Sequence, residues 1–256
     1  MKVSIITVTR NSSKYLQECI DSVVNQTYGN IEHIVIDGNS TDDTVGIIRR
    51  NDNHITKWIS EQDKGMYDAI NKGMKLATGD VIGILNSDDM LAANNVIEQV
   101  VHCFEENKVD SLYGDLVYVD QKNTKKVMRY WKGLSYNRAR FNYGWMPAHP
   151  TFYFRRDLLK ELGGYESHYF TAADYEFMAR YLYRYRISSK YLPMLIVKMR
   201  VGGQSNRNIS SRLRANRRDY LAMKINNIPF PHIASILKPL IKLRQYYYTL
   251  FQKVVD

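Results

Sequence analysis

The sequence predicts an α/β fold: a Rossmann-like, mostly parallel central sheet flanked by helices. Three observations carry that expectation. Short β-branched stretches alternate with helical segments through the first 110 residues or so, the pattern of right-handed crossovers. Loops rich in Asn, Ser, Asp and Gly follow the strand ends, so they collect at one edge of the sheet. The apolar run Ile82-Gly83-Ile84-Leu85 stops at Asn86-Ser87-Asp88-Asp89. A buried strand delivers acids in this way to the carboxyl edge of a sheet, where open α/β sheets bind ligands.

Val3 to Thr9 reads as the first strand, bounded by Arg10-Asn11-Ser12-Ser13. Ser12 or Ser13 caps a helix from Tyr15 to Asn25, whose Leu16, Ile20, Val23 and Val24 recur at helical spacing. Ile31 to Ile36 is a second strand ending at Asp37-Gly38-Asn39-Ser40-Thr41, and a helix runs from there toward Arg50. Thr56 to Ser60 is a short third strand, Gly65 to Leu76 a helix, Asp80 to Leu85 a fourth strand, and Ala92 to Glu106 a long helix. Residues 1–110 form a nucleotide-binding half in which Thr9, Asn11, Asp37 and Asp88 converge at one sheet edge.

The pattern then changes. Ser111 to Asp120 and Lys125 to Trp131 alternate like a hairpin. Two prolines, Pro147 and Pro150, stiffen the approach to a strand at Phe152 to Phe154. A short helix from Arg156 ends at Gly163-Gly164, and another runs from Thr171 through Tyr185. Leu195 to Arg200 is strand-like and Asn208 to Met223 a basic helix. The expected divisions are 1–110, 111–205 and a C-terminal extension, 206–256. In that extension Ile233, Ile236, Leu237, Leu240, Ile241, Tyr247, Tyr248, Phe251 and Val255 form an apolar stripe, with Lys238, Lys242, Gln245 and Gln252 mostly opposite. Such a stripe suits either a bilayer headgroup region or packing on the protein's own body.

Of 256 residues, 45% are hydrophobic and 24% charged, ordinary for a globular chain. Cys19 and Cys103 follow no metal or redox spacing, which points to a reduced, cytosolic setting. The opening stretch does not read as a signal peptide, and no apolar run reaches the roughly 18 residues of a membrane span. The net charge of +10 is uneven. From Arg184 onward there are 15 Lys and Arg against two acids, Asp219 and Asp256, a balance of +13 that leaves the first 183 residues at −3. The basic end predicts an anionic partner such as a membrane surface, a pyrophosphate or a nucleic acid.

Adjacent carboxylates such as Asp88 and Asp89 repel, so a cation stabilises the pair. Mg²⁺ and Mn²⁺ suit carboxylate oxygens, and Mg²⁺ is commonly held by one or two carboxylates plus substrate phosphates. The alternative is that these acids cap the helix expected near Ala92.

Six stretches together give the chain a resemblance. They are Val3 to Asn11, Tyr15 to Tyr28, Glu32 to Asp42, Asp63-Lys64-Gly65-Met66-Tyr67-Asp68-Ala69-Ile70-Asn71-Lys72-Gly73, Ala77 to Asp80, and Asn86 to Asp89. In that order the chain resembles inverting glycosyltransferases of family 2, with the GT-A nucleotide-diphosphosugar transferase fold, over residues 1–205. The Asp63 to Gly73 run is similar to the subgroup that builds bacterial surface polysaccharides.

The resemblance implies residue roles. Asp37 would recognise the nucleobase, and Thr7, Val8, Thr9 and Asn11 would contact base and ribose, partly through backbone. Asp89 would ligate a divalent Mg²⁺ or Mn²⁺, and Asp88 would contact ribose or donor sugar, beside Asn86 and Ser87. Asn86 stands where the family often has an acid. Asp63, Lys64, Gly65, Asn71 and Lys72 would line the donor site, with a lysine meeting phosphate or holding Asp63. Asp174 would be the general base, with Glu176 as a rival about 200° around the helix. His149 and Pro150 would shape the acceptor side, and Gln204 would sit on a loop closing over the donor. The implied substrates are a nucleoside-diphosphate sugar, UDP-linked by preference, and a saccharide or lipid-pyrophosphate-linked acceptor. The expected location is the cytoplasmic face of an anionic membrane, peripherally bound, with no nucleic acid partner.

Two rival readings are weaker. A nucleotidyltransferase would carry a glycine-rich basic loop after its first strand, where this chain has Arg10-Asn11-Ser12-Ser13. A nucleic-acid-binding protein would account for the basic end, but no recognised module is present.

Overall fold

The structure, a computed structural model, describes residues 1–202 and 209–251. Strand β1 (Val3–Thr9) lies parallel between β2 (Ile31–Asp37) and β4 (Val81–Ile84), and β3 (Lys57–Ser60) pairs in parallel with β2. Register sets Thr9 opposite Asp37 and Asp37 opposite Ser60, so three strand ends meet at one edge. The alternation in β1 explains its burial: Val3 and Ile5 enter one core, Ile6 and Val8 the other. Helices α1 (Leu16–Val24), α2 (Thr44–Arg50) and α3 (Met66–Leu76) complete the crossovers. Gly73 lets α3 lie close on β1, because a Cβ there would stand 2.4 Å from Ile6 Cγ2.

The second half continues the same sheet in mixed fashion. Its strands are β5 (Asp89–Leu91), β6 (Ser111–Val119), β7 (Val127–Trp131), β8 (Tyr153–Arg155) and β9 (Ser189–Arg200). The sheet order is β3-β2-β1-β4-β8-β6-β9-β5, with β7 beside β6. Strand β8 is antiparallel to both β4 and β6, whereas β9 is parallel to β6. Helices α4 (Val96–Asn107), α5 (Leu158–Leu162), α6 (Ala173–Met178), α7 (Ile209–Ile225) and α8 (Pro231–Phe251) cover it.

Three boundaries differ from expectation. The helix expected at Ala92 begins at Val96, because Asp89–Leu91 first pairs with β9 as a three-residue strand too short to show periodicity. Strand β9 starts at Ser189 rather than Leu195; a register shift opposite Gly114 accommodates Pro193. The helix expected over Thr171 to Tyr185 is instead a 3₁₀ segment, α6, and a wider π turn over Ala179–Arg184.

Of the two alternatives for the tail, contacts with the protein's own body are present in helix α8, where the Tyr130 N–H donates to Thr249 Oγ1 at 2.9 Å. Lys238 pairs with Asp219 of α7 at 2.7 Å, and Ala234, Ser235 and Gln245 are buried. Among the described residues, no helix is long and apolar enough to cross a membrane.

Candidate active site

The ends of β1 and β2 build the first wall. Asp37 is fully buried, and its carboxylate accepts hydrogen bonds from Ser40 N–H and Oγ–H and from Ser60 Oγ–H. Its oxygens hold the loop at the strand end. Thr7 bonds His33 inside the sheet at 3.0 Å and Val8 is buried in the core, so neither side chain faces a ligand. Asn11, at positive φ, accepts from Thr41 N–H at 2.8 Å and ties the two loops together. Thr9 differs: its hydroxyl is buried with no partner at the strand end. Gly38 donates its N–H to Thr9 O, and a Cβ on Gly38 would stand 2.9 Å from Asp63 Oδ2. Asp63 thus reaches over the glycine to the edge where Thr9 ends.

Lys72 is the reason Asp63 points there. Its ammonium contacts Asp63 at 2.5 Å, Glu61 at 2.7 Å and Asp68 at 3.7 Å. The Asp63 bond above all, then Glu61, pushes the Lys72 pKa up. Lys72 is therefore a clamp on acids rather than a free phosphate ligand. Lys64 is exposed and gives its N–H to Asp68 Oδ2; Gly65, at φ +123°, opens α3. Asn71 bonds the second half of the chain. Its amide accepts from Tyr165 N–H and donates to Tyr165 O, both at 2.8 Å, fastening α3 to the second half.

Beyond β4 the chain reaches its acids. Asp89 is fully buried; Asn86 Nδ2–H donates to its Oδ2 at 2.9 Å, and its Oδ1 has no partner. The Asn86 Oδ1 is also buried and unpartnered. Burial pushes the Asp89 carboxyl well above the usual carboxylate range, and the neighbouring Asp88 charge adds to that. Burial raises Asp88 too, against the pull of Arg200. Ser87, immediately before them, is buried. Among the described residues no group of three or more His, Cys, Asp or Glu side chains gathers to hold a metal. The orphaned oxygens of the Asp89 carboxylate and the Asn86 amide, next to Asp88, nevertheless fit a divalent cation that completes its shell with substrate phosphates.

The third wall comes from the second half. Asp174 opens α6, half-buried, with one oxygen accepting from Tyr175 N–H. Glu176, its rival, is buried in a two-pronged pair with Arg180, at 3.0 and 2.9 Å, and is not free to take a proton. His149 is buried with Nε2 2.5 Å from the Tyr165 hydroxyl. Burial lowers its pKa, and the Asp174 charge partly restores it. His149 is thus held in this wall through Tyr165. Pro150 is buried in the 3₁₀ turn His149–Thr151. Gln204 lies outside the described residues.

Tyr118 joins the walls. Its hydroxyl is pushed up by burial and eased by Arg129, and the charges of both Asp89 and Asp174 act on it. Acids 85 positions apart in the chain thus both act on one hydroxyl. The pattern missed three supporting residues here. Arg129 lies flat on Tyr118, its guanidinium carbon 3.6 Å from the ring centroid, with Nε buried and unpartnered. Buried Arg200 donates to Asp88 O at 2.7 Å and to the Glu18 carboxylate at 2.6 Å, fixing the acid loop from behind. Tyr67 stacks on Tyr165, and after burial the Asp174 charge is the next force on its hydroxyl. Only strand alternation, which sets Tyr118 and Arg129 side by side, held any signal for the first of these.

Comparison with known proteins closes the description. The profile described as Glycosyl transferase family 2 matches residues 4–163. An uncharacterized glycosyltransferase of Mycobacterium tuberculosis is 35% identical over 184 residues, covering 70% of this chain and 68% of that protein. Among solved structures, S. aureus TarS 1–349 in complex with UDP-GlcNAc superposes with a TM-score of 0.70 at 19% identity, over 99% of this chain and 77% of that one. Of the longer TarS crystal structure the chain spans 46%. The mannosyltransferase PcManGT of Pyrobaculum calidifontis, in complex with GDP-Man and Mn²⁺, gives a TM-score of 0.68 at 18% identity, over 99% and 76%. These structural likenesses show a GT-A-type fold.

Proposed function

From the premise that this chain belongs to glycosyl transferase family 2 and is a glycosyltransferase, we propose that it transfers a sugar from UDP to a lipid-diphosphate-linked glycan with inversion at the anomeric carbon. The observation that carries this reading is buried Asp89 just past β4, its Oδ1 without a partner next to Asp88. Membership also sets aside the nucleotidyltransferase and nucleic-acid-binding alternatives.

The donor diphosphate lies over Asp88 and Asp89, with the nucleoside toward Thr9 and Asp63. Asp89, with Asp88 and Asn86, would hold the divalent cation, whose charge offsets the negative charge growing on the departing nucleoside diphosphate. Arg129 supplies a further positive charge on the acceptor side of the acids. Asp174 takes the proton of the acceptor hydroxyl as its oxygen bonds the anomeric carbon. The bond from that carbon to the diphosphate oxygen breaks as the new one forms, so the nucleoside diphosphate leaves on the opposite face. A preference for UDP is supported by the TarS complex with UDP-GlcNAc, and a divalent cation by the Mn²⁺ of the mannosyltransferase.

The test is donor hydrolysis and transfer with a panel of UDP-, GDP- and dTDP-sugars in Mn²⁺. One donor is expected to turn over, and Asp89→Ala and Asp174→Asn to abolish turnover. Wild-type rates in either variant on the cognate pair would overturn these assignments.

A further inference from the structure

Five large apolar side chains stand exposed within a short stretch: Leu221 at 45%, Ile225 at 51%, Phe230 at 72%, Ile233 at 51% and Ile236 at 66%. Leu221 and Ile225 are one turn apart on α7, and Ile233 and Ile236 share a face of α8. Phe230 sits in the turn at positive φ, its carbonyl accepting from Ile233 and Ala234 N–H, so the backbone holds it outward. The patch does not end at the turn. Arg218, one turn before Leu221, lies 4.2 Å over the ring of Phe170, which is itself exposed and four residues before Asp174. An apolar track therefore runs from beside the proposed base, along α7, to the α7–α8 turn.

Its rim is basic. Arg184 donates to Ile225 O, bringing exposed Tyr185 and Arg186 beside α7; Arg217 and Lys224 are exposed on α7 itself. Between Arg184 and Val255 the single acid is Asp219, and Lys238 neutralises it.

We infer that this face, α7 with the α7–α8 turn, rests on an anionic lipid bilayer. Large apolar side chains ringed by Lys, Arg and Tyr match the boundary between acyl chains and acidic headgroups. A second copy is the poorer occupant: a two-fold contact would set Arg184, Arg217 and Lys224 against their own kind. The surface is not the stripe expected from sequence alone, because Ala234 and Gln245 of α8 face the protein body. Phe170 is part of the track, so docking would turn the acceptor side of the cleft toward the membrane, where a lipid-linked acceptor resides. That last orientation rests on the function proposed above; the docking does not.

The experiment is co-sedimentation of the full chain with vesicles of phosphatidylcholine alone or with roughly one-third phosphatidylglycerol, at low and high salt. Binding is expected only to the anionic vesicles and is expected to weaken with salt. Phe230→Asp with Ile236→Asp, and separately Leu221→Asp, should lower the partition coefficient about tenfold or more while the melting curve and donor hydrolysis in solution stay unchanged. Equal binding to both vesicles, or variants that bind like wild type, would overturn the inference. So would a dimer in light scattering that the same variants dissociate. Donor hydrolysis that fails with every nucleotide sugar, beside intact vesicle binding, would strike the function and leave the docking surface standing.

Discussion

Asn86 Nδ2–H donates to Asp89 Oδ2 at 2.9 Å, and this leaves Asp89 Oδ1 buried without a partner. The carboxylate is thus built to receive something. Burial raises its pKa, and the Asp88 charge raises it further. A carboxyl raised on folding costs stability as pH climbs from the ordinary value of about 3.9 through its own, and the full cost is present above that. Asp89→Asn should therefore melt higher than wild type at pH 8 without divalent cation, by about 2–4 °C for each kcal/mol relieved. Mn²⁺ with UDP should raise the wild-type midpoint and leave the variant unmoved. Thermal melts of both proteins, with and without Mn²⁺–UDP, check this.

Arg129 is a cation held by rings. It stacks on Tyr118 at 3.6 Å and faces Tyr246 of α8 at 5.7 Å, and among the described residues no carboxylate pairs with it. A cation stacked on the ring whose hydroxyl feels both Asp89 and Asp174, its Nε without a partner, is our proposed contact for a phosphate. Arg129→Ala is expected to lower kcat/KM about ten- to a hundredfold, the loss of one or two charge-assisted hydrogen bonds. Arg129→Lys should recover only part, since an ammonium keeps the charge and loses the planar stack. Transfer kinetics on all three proteins decide it.

The donor half was legible because its signals are local. β1, β2 and α3 each carry an unbroken period, and Asp88-Asp89 closes a strand in plain view. The second half was less so, because its geometry depends on pairing across long separations. Asp89–Leu91 is a strand only because Val197–Met199 lies beside it, and Pro193 breaks the pattern of β9 without breaking the strand. Site residues divided in the same way. Sequence selected Asp63, Asp88, Asp89 and Asp174, but gave no means of telling a ligand from a clamp. Asn71 and Lys72 hold Tyr165 and Asp63, Asp37 holds Ser40 and Ser60, and only their partners reveal it. Arg200 and Tyr118 act through neighbours distant in the chain, which no motif records.

Glu32 offers a test of what holds the donor half together. Its buried carboxylate accepts from Ser4 Oγ–H at 2.6 Å and from Thr78 N–H and Oγ1–H, both at 2.7 Å, with Lys2 Nζ at 3.1 Å. Burial opposes the charge, but these donors win and hold the pKa down at about 2. A depressed carboxyl contributes stability that is complete above the unfolded value of about 4.3 and fades as pH falls through the folded one. Glu32→Gln should be less stable by about 1.5–3 kcal/mol at pH 7. The gap should narrow below pH 4.5 or so and close near pH 2. Melting midpoints of both proteins across that range are the measurement.

Asp174 and Glu176 lie two residues apart and should fail in opposite ways. Asp174 is half-buried, its carboxylate accepting from the next N–H, and placed where its charge reaches Tyr67, His149 and Tyr118. Asp174→Asn should keep the wild-type melting midpoint and lose transfer by about 10²–10⁴-fold, the usual worth of a positioned base. Glu176 is buried against Arg180, whose guanidinium also donates to Leu162 O and Gly164 O. Glu176→Ala leaves that guanidinium buried without its counter-charge, at a cost of about 3–5 kcal/mol. The variant should melt far lower, yet its folded fraction should still turn over the donor, because Asp174 and Asp89 are untouched. Specific activity corrected for folded fraction, beside melting curves of the two variants, separates the roles. A stable Glu176 variant with no activity would move the base from Asp174 to Glu176.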